Sequence, residues 1–114
     1  MPRLMSFALT KPQFLDGTKT ETRRLGWQRL RPGEEFIAVE KAMGLKRGES
    51  PVHLGRCRVV SVVRELLNLI TQDAVISEGF QHMTPTGFVA MFCEHMGCEP
   101  EDYVTVIRFE KVAS

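Results

Sequence analysis

The sequence predicts an α+β fold in which a small curved sheet or barrel is flanked by helices. Its 114 residues are near the common size of one domain. Its predicted elements follow the order strand, short helix, strands, two helices and a last strand. Because the strands do not alternate regularly with helices, a doubly wound parallel sheet is disfavoured. We therefore expect residues 1–114 to form a single domain with one core.

The N-terminal half contains the predicted short helix and two predicted strands. Loose alternation predicts a first strand over residues 4–9, and Thr10 caps a helix that begins with Lys11-Pro12 and ends at Gly17. Residues 18–25 are rich in Thr, which favours an extended chain, although none of them looks like core. A second strand is predicted at residues 36–39, and residues 41–51 read as a long loop that exposes its Lys and Arg side chains.

The C-terminal half contains the longest strand and two helices. Four valines lie near the centre of a strand predicted at residues 54–63. One helix is predicted between Thr71 and Gly79, and a second begins with Thr84 as cap and ends at Gly97. The apolar stripe of the second helix consists of Phe88, Val89, Phe92 and Met96. The final strand is predicted at residues 103–109.

Composition excludes several classes of protein. Hydrophobic residues make up 43% and charged residues 25% of the chain, which is typical of a globular domain rather than a disordered one. Three Cys without regular spacing argue against a disulfide scaffold and for a reducing compartment. No apolar run approaches the ~20 residues that a membrane span requires. We expect a cytoplasmic protein without membrane association.

Charge is unevenly distributed along the chain. Residues 1–60 contain 12 Lys and Arg against 6 Asp and Glu, whereas residues 61–114 contain 3 against 8. The basic residues are densest around Trp27, where the neighbours are Arg23, Arg24, Arg29 and Arg31. Such a cluster could contact phosphates and stack a base, or it could be a solvated loop with one buried ring. Composition leaves both interpretations open.

The segment from residue 16 to residue 24 is the strongest candidate for chemistry. In an extended chain, alternate residues share one face. This rule separates Thr18, Thr20, Thr22 and Arg24 from Lys19, Glu21 and Arg23. Near the flexible Gly17 the alternation can break, so that Lys19 and Thr22 point into one cavity. The alternative is an edge strand whose charges discourage aggregation.

This segment resembles the signature of the ASCH family. The matching pattern is Gly17-x-Lys19-x-x-x-x-Arg24. Further resemblance covers the turn at residues 31–34, the segment at residues 73–80 and the end of the last strand at residues 106–109. ASCH domains are relatives of PUA domains, so the resemblance implies a PUA-like small β-barrel with flanking helices and a central cleft that holds a nucleoside or an RNA or DNA ligand.

One position departs from that signature, because Thr22 stands where most members have an acidic residue. A bacterial branch, the N4-acetylcytidine amidohydrolases, also has Thr there. The resemblance to this branch implies that the chain removes an acyl group from an N4-acylated cytidine. It implies Thr22 as nucleophile, Lys19 as the group that activates it or stabilises the oxyanion, and Glu78 as proton carrier. No cofactor or metal is implied.

The chemistry is consistent with this set but leaves alternatives. A Thr hydroxyl needs a base, and a Lys serves as one only where burial or a nearby cation lowers its pKa. Otherwise a charged Lys19 stabilises the oxyanion while Glu78 accepts the proton. A non-catalytic RNA- or DNA-binding module and a ribonuclease remain the competing functions.

Further residues are candidates for binding. Arg23, Arg24 and Trp27 are predicted to bind substrate, and Glu40 and Lys41 are expected near the rim of the cleft. Cys93-x-His95-x-x-Cys98 offers only three ligands at irregular spacing, so no metal site is predicted there.

Overall fold

The computed structural model describes residues 3–42 and 45–113, which form one mixed sheet with helices packed on it. Its strands are β1 (Arg3–Ser6), β2 (Glu21–Arg24), β3 (Glu35–Val39), β4 (His53–Leu66) and β5 (Tyr103–Val112). The helices are α1 (Lys11–Asp16), α2 (Gln72–Ser77) and α3 (Pro85–Met96), with 3-10 helices at Ala8–Thr10 and Leu67–Leu69.

The strand order makes the two earliest strands the edges of the sheet. The order is β1-β3-β4-β5-β2, in which β1 lies parallel to β3 and the other neighbours are antiparallel. The sheet curls into a half-barrel, so its edges approach each other. Arg24 Nη2 on β2 donates to the Ser6 carbonyl on β1 at 2.6 Å, which links the two edges through a side chain. The predicted α+β class, a small curved sheet with flanking helices, is confirmed.

Two apolar clusters fill the fold. The barrel cluster lies inside the curled sheet and contains the aromatic residues Phe7, Phe14, Phe36 and Phe109. Their contacting ring centroids are 5.2 to 6.3 Å apart. The helix cluster lies between the helices and the sheet and includes Val75, Phe88, Val89 and Phe92. Strand β5 contributes to both clusters, with Ile107 in the barrel cluster and Val104 in the helix cluster.

The predicted starts of both C-terminal helices are confirmed. Thr71 Oγ1 accepts from Ala74 N at 3.1 Å, and Thr84 Oγ1 accepts from Gly87 N at 3.0 Å. Each threonine satisfies an amide that would otherwise lack a partner in the first turn. Helix α3 ends at Gly97, whose φ of 67° is the left-handed conformation that favours glycine.

Several strand bounds differ from those predicted. Strand β1 ends at Ser6 and gives way to a 3-10 helix, whereas β4 and β5 continue to Leu66 and Val112. These extensions exist because β4 and β5 pair along nearly their whole length, which periodicity in one strand cannot reveal. In the predicted loop 41–51, residues 43 and 44 lie outside the described residues, and Lys41, Lys46 and Arg47 are exposed.

The expectation that residues 18–25 contribute no core is wrong. Lys19, Glu21, Thr22 and Arg23 are all buried. The segment is polar, but its charged members form ion pairs with one another and with distant residues, which offsets the cost of burial.

The described helices are short. Helix α3, with 12 residues, is the longest helix in residues 3–42 and 45–113, and none in these ranges has the length and apolar character needed to cross a membrane.

Candidate functional site

A cavity of about 230 Å³ opens between the edge strands β1 and β2 and lies against α3. The strand side contributes mostly polar groups, among them Ser6, Lys19, Thr22, Arg23 and Arg24. The helix side contributes Glu78 and an apolar wall that includes Phe88, Met91 and Phe92. Drug-sized ligands occupy pockets of roughly 300–1,000 Å³, so this cavity suits a smaller molecule.

Local backbone contacts bring Lys19 into the cavity. Gly17 ends α1 with a φ of 85°, and the Lys19 amide then donates to the Gln13 carbonyl at 3.1 Å. The next amide, of Thr20, donates to the Ser77 carbonyl at 2.9 Å and joins this turn to α2. Lys19 is 4% exposed. The short segment after α1 is therefore held between two helices, which fixes the path of the lysine.

Lys19 and Glu78 form a buried ion pair. Lys19 Nζ donates to Glu78 Oε1 at 3.0 Å and to the Glu78 carbonyl at 2.7 Å. Burial lowers the pKa of Lys19 because it penalises the ammonium form, and the negative charge of Glu78 opposes this effect. A lysine in these surroundings loses its proton more readily than an exposed one.

Glu78 owes its position to a tight contact between α2 and α1. It directly follows α2, and the next residue, Gly79, has a φ of 104°. A Cβ on Gly79 would lie 3.0 Å from Gln13 Cβ, which is tighter than most Cβ contacts in proteins. The glycine therefore allows the end of α2 to approach α1, which precedes Lys19, closely enough for the ion pair to form.

Thr22 and Arg24 are joined on the strand side of the cavity. Arg24 Nε donates to Thr22 Oγ1 at 3.1 Å, so the threonine oxygen is an acceptor and its O–H can point toward another group. The Arg24 guanidinium lies over the Phe7 ring, 5.1 Å from the centroid. Burial lowers the pKa of Arg24 to about 10. A guanidinium that bonds the hydroxyl oxygen favours loss of the hydroxyl proton, because it stabilises the resulting negative charge.

Arg23 lines the cavity and is held by carboxylates, and its predicted role in binding substrate stays a prediction. Its Nη1 contacts Glu21 Oε2 and lies 3.3 Å from Glu78 Oε2. Its Nη2 lies 3.5 Å from Glu65 Oε2, and Glu21 also accepts from Arg108 Nε at 3.1 Å. Sequence reasoning did not single out Glu21 or Arg108 as members of this network, although the predicted alternation did put Glu21 and Arg23 on the same face.

Three residues predicted to bind or border the ligand do not line the cavity. Trp27 packs against the barrel cluster, with the Arg3 guanidinium 3.8 Å above its ring. Glu40 pairs with Lys11 Nζ at 3.3 Å, and its carbonyl accepts from Ser6 Oγ at 3.3 Å. Lys41 is exposed. Glu40 thus touches a lining residue, whereas the binding roles of all three stay predictions.

The apolar wall was predicted only as core. The stripe on α3 indicated a face packed on the sheet, and Phe88 and Phe92 do belong to the helix cluster. The same two residues also line the cavity, together with Met91 and His95. Periodicity shows which face of a helix is apolar but not whether that face meets side chains or a ligand.

Outside the cavity lining, the two cysteines near the end of α3 contact each other. Cys98 Sγ donates to Cys93 Sγ at 3.8 Å. Burial raises the pKa of Cys98 to about 11, so its thiol form is favoured.

Comparison with known proteins identifies the fold. No family model and no curated protein matches the chain. A crystal structure of protein EF3133 from Enterococcus faecalis V583, described with the family model DUF984, is similar with a TM-score of 0.70 and 16% identity, covering 98% of this chain and 80% of that one. An ASCH domain from Lactobacillus crispatus JV V101 is similar with a TM-score of 0.61 and 14% identity, covering 96% of this chain and 78% of that one. The chain therefore has an ASCH-like fold.

Proposed function

We propose that this ASCH-like chain binds a single nucleobase or nucleoside in the cavity and hydrolyses an acyl amide at N4 of a cytidine. One observation carries the proposal. Lys19, Thr22 and Glu78 line the same cavity, and the lysine ammonium is bonded to the glutamate. A nucleophile, a base of lowered pKa and a proton carrier are the groups that acyl transfer requires.

In the proposed reaction, Thr22 Oγ attacks the acyl carbonyl carbon. Lys19 first passes a proton to Glu78, its ion-pair partner. The neutral amine then takes the hydroxyl proton, and Arg24, which already donates to Thr22 Oγ1, stabilises the developing negative charge. As the bond from the carbonyl carbon to N4 breaks, Lys19 or Glu78 returns a proton to the departing amine. Water then attacks the acyl-threonine, the bond from Oγ to the carbonyl carbon breaks, and Thr22 regains its proton as the carboxylic acid leaves.

The size and polarity of the cavity support a small substrate. Its volume of about 230 Å³ fits one base or nucleoside better than a folded nucleic acid. The rings of Phe88 and Phe92 offer apolar surface opposite the polar strand edge. An aromatic base has two apolar faces and a polar rim, and this combination matches such a cavity.

The first experiment follows conversion of N4-acetylcytidine to cytidine by chromatography. Lys19→Ala is expected to lower kcat/KM by roughly 10²–10⁴-fold, because it removes the general base. Thr22→Val removes the nucleophile at nearly constant volume and should abolish turnover. Thr20→Val is the matched control, because Thr20 is exposed and its side chain lies outside the cavity lining.

The outcomes separate the competing functions. Full activity in Thr22→Val would contradict the nucleophile assignment. No cytidine at high enzyme concentration, together with oligonucleotide binding that weakens steeply with salt, would favour the non-catalytic nucleic-acid-binding module. Shortening of labelled RNA would favour the ribonuclease.

A further inference from the structure

The charges that line the cavity do not balance. Lys19, Arg23 and Arg24 face one lining carboxylate, Glu78. Glu78 contacts Lys19 and Arg23, and Arg23 is also paired with Glu21, which is buried beside it. With Lys19 as the ammonium of this resting ion pair, Lys19 and Arg23 are balanced by Glu78 and Glu21. At the outer side of the network, Glu65 on Arg23 is matched by Arg108 on Glu21. Arg24 is the remaining positive charge.

The partners of Arg24 are neutral. Its Nε and Nη2 donate to the Thr22 hydroxyl and the Ser6 carbonyl, which accounts for two of the five N–H donors of a guanidinium. Within residues 3–42 and 45–113, no carboxylate lies within ion-pair distance of it. Glu78 acts on Arg24 from beyond that distance, and its effect on the pKa is smaller than that of burial. A desolvated cation without a carboxylate in contact is costly, and the Phe7 ring beneath it compensates only in part.

We propose that the cavity binds a small carboxylate with a short apolar tail, its head on Arg24 and its tail against α3. The proposal rests on the proposed function in one respect, since the acid released by amide hydrolysis is a molecule of this kind. Binding of the free acid anion can nevertheless be measured without turnover.

The cavity favours a carboxylate over a phosphate on charge and on polarity. A carboxylate has the single negative charge that the excess on Arg24 would neutralise, and its planar head suits a guanidinium. A phosphate ester near neutral pH has up to two charges, and inorganic phosphate has no apolar part. The wall formed by Phe88, Met91 and Phe92 would leave inorganic phosphate with unfavourable surroundings on one side.

The test is a titration of the purified chain with acetate, butyrate and hexanoate at constant ionic strength, followed by NMR of methyl-labelled methionines. Signals of Met91 and Met96 should shift, because both line the cavity, whereas Met83, which does not, should stay in place. Affinity should increase by roughly fourfold for each methylene that becomes buried. Butyramide, the neutral analogue of butyrate, should not bind.

Two variants test whether the carboxylate group binds at Arg24. Arg24→Gln should abolish carboxylate binding, and Arg56→Gln is the matched control because Arg56 is an exposed arginine on β4 paired with Glu35. If Arg24→Gln does not fold, the comparison of butyrate with butyramide on the natural chain still decides whether charge is recognised.

Each outcome has a definite meaning. Equal binding of butyrate and butyramide, carboxylate binding that a folded Arg24→Gln retains, or no binding at all would overturn the proposal. Preferential binding of inorganic phosphate or cytidine monophosphate would assign the anion to a phosphate instead and would also overturn it. Carboxylate binding without N4-acetylcytidine hydrolysis would remove the proposed function alone, and hydrolysis without carboxylate binding would remove this inference alone.

Discussion

Lys19 and Arg24 lie five positions apart and line one cavity, yet their electrostatic surroundings differ. Lys19 has a carboxylate partner, whereas Arg24 has only neutral acceptors. The chemistry of the two groups differs as well, because an amine exchanges its proton more readily than a guanidinium, and Arg24 stays charged near neutral pH even with its pKa lowered to about 10. The arrangement therefore suits Lys19 to proton transfer and Arg24 to holding negative charge.

This difference predicts a pH dependence. Burial lowers the pKa of Lys19 below its usual 10.5, so the neutral amine becomes populated at lower pH than in an exposed lysine. If that amine is the base, kcat/KM for N4-acetylcytidine should rise with pH and level off below pH 10.5. Lys19→Arg should be inactive near neutral pH, because a guanidinium keeps its proton there. A rate that instead falls with pH well below the pKa of Arg24, which is about 10, would assign the charged form of Lys19 to oxyanion stabilisation.

The site depends most on the C-terminal end of α2. Glu78 and Gly79 follow this helix directly, and the backbone of Ser77 in its last turn holds Thr20 next to Lys19. Both hydrogen bonds of the Lys19 ammonium are to Glu78, one to its carbonyl and one to its carboxylate. A small displacement of the helix end would therefore break both. The geometry of the ion pair is thus a property of helix packing.

Substitution of Gly79 tests this dependence. Gly79→Ala places a Cβ against Gln13 and forces a residue with a side chain to adopt a φ of 104°, so it should lower the free energy of unfolding by about 1–3 kcal/mol. It should also reduce kcat. Gly26→Ala is the control, because a Cβ there would meet nothing within 4 Å. Urea unfolding measures the stability of both variants, and equal midpoints would contradict the close packing of α2 on α1.

At the scale of the whole molecule, β5 connects the two apolar clusters. Val104 and Val106 pack in the helix cluster, while Ile107 and Phe109 pack in the barrel cluster. Because one continuous strand contributes to both, loss of either cluster should destabilise the other. We expect the chain to unfold as a single cooperative unit.

Phe88→Ala tests that cooperativity. Phe88 is 1% exposed in the helix cluster, so truncation should cost about 3–5 kcal/mol. Trp27, the one tryptophan of the sequence, packs against the barrel cluster and reports on it by fluorescence, while circular dichroism follows the helices. Both signals should move to lower urea concentration together. A fluorescence transition that stays at its original midpoint would show that the two clusters unfold separately.

Local signals in the sequence were sufficient for most elements. The caps at Thr71 and Thr84 and the terminating Gly17 and Gly97 act on neighbouring backbone, so their effects can be predicted from a few adjacent residues. The ASCH-like signature likewise singled out Lys19, Thr22 and Arg24, which the fold brings to one cavity. The signature did not reveal that this polar segment is buried.

The sequence by itself determined the class of fold, the order of the elements and the segment that contains the candidate site. Only the tertiary structure decided the partners of that segment, because Glu78 lies 59 positions from Lys19 and Arg108 lies 87 positions from Glu21. It also decided that Trp27 packs on the barrel cluster and that the apolar stripe of α3 faces a cavity. The physical reason is that periodicity and capping depend on neighbours in the chain, whereas ion pairing and enclosure depend on how the sheet curls and where the helices pack.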